Sequence, residues 1–325
     1  MSEPVARRSF RVDRDDAARR LDQAVVRRLA DIPGLSRSRV QRWIAEGLVR
    51  VDGAAVTRVS SRLSLGDEVE ILLPGAAPVR RRPAAQPIPL SILWEDEHLL
   101  AVDKPPGIVV HPTHGHPDGT LLNAVLFHVG QRGAEGSMPG PVGRLDKDTS
   151  GIVLFARSPL VHGRLARAMR KQGMEKDYLA LVYGPARFPK GRIDRRILRD
   201  PEDRRRMTTS RTEGWESSTL YEVIAESAGL ALLRCRLLTG RMHQIRVHLQ
   251  SEGLPIVGDP VYGEPRWKGM RVPDLATLCR GFPRQALHAW RLAFAHPITQ
   301  QLLEIVAPLP ADMAGLLAAA GMETL

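Results

Sequence analysis

Cysteine is nearly absent: the 325 residues contain only Cys235 and Cys279, far apart in the chain. Two isolated cysteines exclude a zinc-finger spacing, a Cys-x-x-Cys redox pair and a disulfide framework. Long apolar runs are missing too. No uninterrupted stretch approaches the roughly 18 residues that cross a bilayer. Residues 1–20 are charged throughout and lack the apolar segment of a secretory signal, so the expected location is cytoplasmic. Lysine is scarce, with 6 residues against 41 arginines. Such a skew follows from a GC-rich genome as readily as from a function. The net charge of +11 is therefore, by itself, only a weak pointer to a polyanionic partner.

The charge that is present lies unevenly. Residues 1–82 carry 17 basic and 11 acidic side chains, a net +6, whereas the remaining 243 residues add +5. From Leu73 to Pro89 stand Pro74, Pro78, Pro83, Pro87, Pro89 and the basic run Arg80-Arg81-Arg82, with no acid. Prolines at that density forbid a helix or central strand, because each fixes φ and lacks an N–H. The length suits about two domains. These features predict an N-terminal extension over 1–18, a small domain over 19–72, a linker over 73–90 and a larger domain over 91–325.

In the small domain Leu21, Val25 and Leu29 recur at helical spacing, with Arg19, Arg20, Arg27 and Arg28 off that stripe. Pro33-Gly34 breaks the helix. Ser36 is placed to cap a second helix that turns Val40 and Ile44 inward and closes at Gly47. A strand over Leu48–Val51, the turn pair Asp52-Gly53 and strand-like pieces to Leu72 follow. Arg37, Arg39 and Arg42 decorate the second helix, a layout suited to docking on a phosphate backbone. The landmarks Arg20-Leu21-Asp22, Ser36-Arg37-Ser38-Arg39-Val40 and Gly47-Leu48-Val49-Arg50-Val51-Asp52-Gly53 resemble the S4-like (alpha-L) RNA-binding module.

After the linker, strand-like runs lie at 99–102, 151–156, 178–183, 219–224 and 230–238. Ser158-Pro159 opens a helix that stops at Gly173, and the second half of 239–253 is helical in pattern. Strand-to-strand steps outnumber crossover helices, which predicts an α+β fold with a mixed, largely antiparallel sheet.

The richest segment is Gly143-Arg144-Leu145-Asp146-Lys147-Asp148-Thr149-Ser150-Gly151, just before an apolar strand. A carboxylate held at the edge of a core can serve as nucleophile, general base or metal ligand. Asp146 with Asp148 is one arrangement for Mg²⁺ in a nuclease. His111, His114 and His116, or His243 and His248, raise a metal site, but neither set has zinc-motif spacing.

Five further segments accompany it in order. Upstream are Asp103-Lys104-Pro105-Pro106-Gly107 and His111-Pro112-Thr113. Downstream come Glu175-Lys176-Asp177-Tyr178, then Thr239-Gly240-Arg241-Met242-His243-Gln244-Ile245-Arg246, and finally Gly258-Asp259-Pro260-Val261-Tyr262-Gly263. Together they resemble the RluA-type pseudouridine synthases over roughly residues 92–310. The resemblance implies a sheet with flanking helices and a central cleft, and isomerisation of uridines in structured RNA without metal or cofactor. It implies large-subunit ribosomal RNA as the target, with tRNA as the alternative substrate and a non-catalytic ribosome-assembly factor as the alternative class. A monomer is expected.

The resemblance also assigns roles. Asp146 falls on the catalytic aspartate, Arg246 on its basic partner and Tyr178 on the aromatic that stacks on the base. Arg144 falls on the arginine that fills the place of the flipped-out uridine, and Lys104 on a lysine that contacts RNA or shapes the site. These roles suit the chemistry. An internal uridine must leave its stack to expose the glycosidic bond, and an inserted guanidinium offsets part of the few kcal/mol that unstacking costs. A carboxylate in an apolar pocket needs a cation beside it to keep its charge. Three routes stay open for Asp146: a covalent sugar adduct, a ring adduct, or a glycal. Gly143 departs from the histidine common at that position, which is expected to affect loop packing more than chemistry. The Trp215–Thr219 stretch departs as well, leaving its strand pairing open.

Overall fold

The protein is described here by a computed structural model covering residues 6–32, 35–73, 83–113, 115–131, 139–203 and 205–322. The chain forms two compact units, Met1–Arg82 and Pro83–Leu325.

The first unit begins with β1 (Ala6–Arg11), followed by α1 (Leu21–Arg28), α2 (Arg37–Ala45), β2 (Val49–Val51), β3 (Ala54–Ala55) and β4 (Glu68–Leu73). The strands form an antiparallel sheet in the order β1-β4-β2-β3. Leu21, Val25 and Leu29 face its core with Val40, Ile44, Val69 and Ile71. Ser36 caps α2, its Oγ accepting the Arg39 N–H at 3.3 Å. The stop at Pro33-Gly34 lies outside the described residues, and α1 already ends at Arg28.

Part of the expected N-terminal extension joins the sheet. Ala6 to Arg11 pair with β4 from Leu73 to Glu68 and form one edge of the sheet. An edge strand with one partly buried apolar residue, Phe10, carries almost no periodic signal. The turn after it also changes the charge picture. Asp16 is fully buried and accepts Arg27 Nη1 at 2.9 Å and Arg28 Nε at 2.5 Å, and Asp13 pairs with Arg28 as well. Those two arginines are neutralised locally.

The second unit opens with β5 (Ser91–Glu95), β6 (Leu99–Lys104), α3 (Leu121–Gln131), β7 (Gly140–Pro141), β8 (Ser150–Ala156) and α4 (Pro159–Arg170). It continues with β9 (Met174–Tyr183), β10 (Lys190–Asp194), β11 (Arg196–Arg199), β12 (Met207–Ser210), β13 (Ser218–Ser227) and β14 (Leu230–Leu237). The last elements are α5 (Gln244–Ser251), α6 (Pro273–Gly281), β15 (Leu287–Ala295), β16 (Leu302–Val306) and α7 (Ala311–Ala319). Among the described residues ten strands form one sheet, ordered β10-β13-β14-β9-β15-β8-β6-β5, with β16 beside β15 and β7 beside β8. All pairs are antiparallel except β15 with β8. The expected largely antiparallel α+β sheet is what the chain forms.

Strand β8 is buried along its whole length, which is why it reads as a continuous apolar run rather than an alternation. The helix after it starts as expected, with Ser158 as cap and Pro159 in the first turn. Its left-handed stop is Gln172, φ 57°, one residue before Gly173. Part of the expected linker is held to the second unit. Residues 74–82 lie outside the described residues, but 83–90 belong to the second unit. Asn123 Nδ2 donates to Ala84 O at 2.7 Å, and Gln86 Oε1 accepts the Gly119 N–H at 2.7 Å. Proline keeps that segment extended, and side-chain amides hold it down.

Candidate active site

Strand β15 sets the geometry of the site. Its Ala289 lies opposite Gly151 of β8 on one side and Tyr178 of β9 on the other. The loop that precedes β8 is thereby brought beside the aromatic of β9. Gly151 is required for this approach: its φ is +108°, and a Cβ there would stand 2.2 Å from the Ala289 carbonyl oxygen. Gly143, at the start of the loop, has φ +91°. A histidine there would have to adopt a left-handed backbone that side chains rarely take, so the departure from the expected histidine sets the path of the loop.

Asp146 and Arg246 meet at a cleft of about 170 Å³. Arg246 projects from α5 and donates its Nη1–H to Asp146 Oδ2 at 2.8 Å. Tyr178 lines the same cleft, with Ile152, Leu154, Met169, Met174, Leu237 and Leu287 supplying apolar wall. Burial and the charge of Asp146 push the Tyr178 hydroxyl up, so it remains a neutral phenol. Arg144 stands exposed at the cleft, with neither hydrogen bond nor ion pair among the described residues.

Arg246 is itself held from behind by a residue to which the sequence assigned no role. Asp259, from the Gly258–Gly263 segment, takes Arg246 Nε at 2.7 Å and Nη2 at 2.8 Å, and its Oδ1 also accepts the amides of Val261 and Tyr262. Burial pushes Asp259 up and Arg246 down, but their mutual hydrogen bonds and opposite charges, with the amides on Asp259 and Asp146 beside Arg246, together outweigh burial and keep both charged. The guanidinium carbon also lies 5.1 Å from the centre of the Tyr262 ring. The Tyr262 hydroxyl accepts the Met207 amide at 2.7 Å and sits 3.0 Å from His243 Nδ1. With that hydroxyl donating to Nδ1, the imidazole presents Nε2–H at 4.0 Å from Asp146 Oδ2. Burial lowers the His243 pKa against the pull of Asp146, which favours the neutral ring.

The segment before α5 is fastened by Gln244. Its Oε1 accepts Thr239 Oγ1 at 2.8 Å and the Arg241 N–H at 3.0 Å, and its Nε2 donates to Ser218 O and Thr219 Oγ1, both at 3.0 Å. The Trp215–Thr219 stretch that broke the expected pattern divides: Trp215 and Ile197 exchange both backbone hydrogen bonds at 2.9 Å outside the large sheet, whereas Ser218 and Thr219 begin β13 within it.

Lys104 is placed differently from a residue that reaches RNA. It is fully buried, and its Nζ donates to the carbonyls of Pro105 at 2.8 Å, Ile108 at 3.0 Å and Lys147 at 2.8 Å. All its donors are spent inside the protein, so it ties the Asp146 loop to β6. Burial pulls its pKa down to about 7, against the nearby charges of Asp148 and Asp146. Arg284 and Gln285 secure the other end of that loop, through Asp148 O at 3.4 Å and Thr149 Oγ1 at 3.1 Å.

In the first unit the three predicted arginines differ. Arg37 donates to buried Asp22 at 2.8 Å, the Arg39 guanidinium lies 5.2 Å from the Trp43 ring centre, and the Arg42 side chain is exposed with neither hydrogen bond nor ion pair among the described residues. His114 lies outside the described residues. Among those described, no group of three or more histidine, cysteine, aspartate or glutamate side chains is placed to hold a metal ion. No described helix is long and apolar enough to cross a membrane.

Comparison with known proteins gives this arrangement a family. Residues 98–251 match the RNA pseudouridylate synthase family profile, and residues 19–69 match the S4 domain. The chain is 43% identical over 303 residues to the ribosomal large subunit pseudouridine synthase D of Nitrosomonas europaea, covering 93% of this chain and 85% of that protein. It is 40% identical over 284 residues to the uncharacterized RNA pseudouridine synthase YlyB of Bacillus subtilis, covering 87% and 88%. Among solved structures, human RNA pseudouridylate synthase domain containing 4 shares the fold with a TM-score of 0.58 at 22% identity, over 72% of this chain and 94% of that one. With its S4 domain and its synthase domain matched in order along most of its length, the chain belongs to the RNA pseudouridine synthase family.

Proposed function

We propose that the chain converts a uridine of large-subunit ribosomal RNA to pseudouridine, with Asp146 as the catalytic group. The observation that carries this reading is the Asp146–Arg246 hydrogen bond of 2.8 Å at the floor of a cleft whose wall includes Tyr178. The target is suggested by relatives named ribosomal large subunit pseudouridine synthase D.

In this reading the uridine leaves its stack, exposed Arg144 takes its place, and the base lies on Tyr178. The Asp146 carboxylate, aimed by Arg246, acts as the C1′–N1 bond breaks. The freed base turns, C1′ bonds to C5, the C5 proton departs, and N1 gains a proton, so the reaction is a balanced isomerisation. The first unit, with Arg37, Arg39 and Arg42 on α2, contributes salt-sensitive affinity for the RNA backbone.

Carbodiimide-based sequencing of RNA from a deletion strain complemented with wild type or Asp146→Ala tests this. Wild type is expected to restore pseudouridine at one or a few large-subunit positions, and the variant none. Loss confined to tRNA overturns the ribosomal target, and restoration by the variant overturns the role of Asp146.

A further inference from the structure

Besides the exposed Arg144 and Arg241, one half-buried cation that lines the cleft has no anion among the described residues. Strand alternation puts Lys176 and Tyr178 on the same face of β9 and Glu175 and Asp177 on the other. The two acids are fully engaged. Asp177 takes Arg236 Nε at 2.7 Å, and Arg291 Nη1 donates to both Glu175 and Asp177 at 2.9 Å. Lys176, between them in sequence, lines the cleft instead and has neither hydrogen bond nor ion pair among the described residues. Asp146, which lines the same cleft, is already bonded to Arg246.

The ammonium also has a defined place. A Cβ on Gly240 would stand 3.8 Å from Lys176 Nζ, and Gly240, Arg241 and Met242 form an exposed lip. The charge therefore sits at the mouth of the cleft, two residues along the strand from the aromatic on which the base rests. A half-buried ammonium without a counter-ion is unfavourable in the free protein, and burial indeed lowers its pKa. Uracil and ribose are neutral, so the only anion that the substrate brings is its phosphodiester. With the base pointing inward, the backbone must cross the mouth.

We infer that Lys176 is a substrate-holding residue that binds a phosphodiester flanking the flipped uridine. The inference rests on the proposed base-flipping reading and adds the group that grips the backbone at the target nucleotide.

Lys176→Met keeps the side-chain length and removes the charge. The probe is a synthetic stem-loop RNA bearing the mapped uridine, studied with the full-length chain. Binding is expected to weaken by about tenfold or more, as for loss of a hydrogen bond to a charged group. The slope of log Kd against log salt is expected to fall by about 0.7, one phosphate contact on a single strand. KM should rise while kcat at saturating RNA holds, and Lys176→Arg should restore the slope. A neutral methylphosphonate at one of the two flanking phosphates should impair wild type and leave Lys176→Met no worse. An unchanged salt slope, or equal loss from methylphosphonate in both proteins, overturns the inference. A fall in kcat with KM unchanged places the ammonium on the base and also overturns it. Should Lys176→Met fail to fold by circular dichroism, the methylphosphonate scan with wild type decides, since indifference at both positions is incompatible with the contact. Absence of pseudouridine in the probe with wild type would instead refute the underlying reading.

Discussion

Replacing Asp259 with asparagine removes the charge that anchors Arg246 while preserving shape. The pair is buried on both sides, with side-chain exposures of 5% for Arg246 and 0% for Asp259, and its two hydrogen bonds are short, 2.7 and 2.8 Å. An asparagine oxygen can still accept from one guanidinium nitrogen and from the amides of Val261 and Tyr262, but its NH₂ then faces the other guanidinium N–H. Breaking a buried ion pair costs about 3–5 kcal/mol, and the retained amide bonds favour the lower end. In a unit of this size about 3 kcal/mol lowers Tm by about 6–12 °C. The catalytic effect is separate. Arg246 keeps the Nη1 bond to Asp146 but at most one bond to residue 259, so the guanidinium can swing, and a displacement near 1 Å at a reacting group costs on the order of 100-fold in rate. Tritium release from RNA labelled at uridine C5, under single-turnover conditions, reads the chemistry, and a circular dichroism melt reads the stability. A variant that melts with wild type and turns over at the wild-type rate refutes the anchoring role. One that melts early but turns over normally confines Asp259 to stability.

The close approach at Gly151 makes Gly151→Ala severe. Its Cβ would clash with the Ala289 carbonyl at a backbone angle of +108°, so the β8–β15 ladder must open, with an expected loss of at least about 3 kcal/mol. A urea midpoint equal to wild type would contradict that geometry. In the first unit Asp22 gives an acid dependence. Burial pushes its carboxyl up, but hydrogen bonds from Gln41, Arg37 and Arg20 outweigh this and hold it at about 2, below the ordinary 3.8. Its stabilisation is therefore complete above pH 3.8 and lost as pH falls through about 2. Hydrogen exchange at the α1 and α2 amides should show wild type losing protection across that window relative to Asp22→Asn, and parallel profiles would refute it.

The elements most readable in the sequence were those whose signal is local. β8 and the second half of β9, residues 178–183, are uninterrupted apolar runs, and the caps Ser36 and Ser158 precede their helices in the usual way. β15 lies between these two strands yet does not read as their equal, because His288 and Arg291 interrupt its apolar pattern. Their partners, Ser150 at 3.0 Å and the Glu175–Asp177 pair at 2.9 Å, come from distant strands. Which of the two roles fits Lys104 was illegible for a related reason. Lysine is almost never fully buried, and the three carbonyls that make burial tolerable converge only when the Asp146 loop folds back on β6. Asp259 stood in a segment already noted, but its service to Arg246 depends on where the turn after α5 returns. The resemblance brought Asp146, Tyr178 and Arg246 together as a set. The groups that position them required coordinates.

The place of β15 has a consequence for biosynthesis. Residues 287–295 are translated after every other strand of the large sheet except β16, yet they lie between the strand that carries Tyr178 and the one that follows Asp146. A nascent chain stopped before residue 287 contains Asp146, Tyr178 and Arg246 but lacks the rail that sets the first two side by side. Activity should therefore appear late and abruptly during synthesis, and premature products should bear the catalytic residues without forming the site.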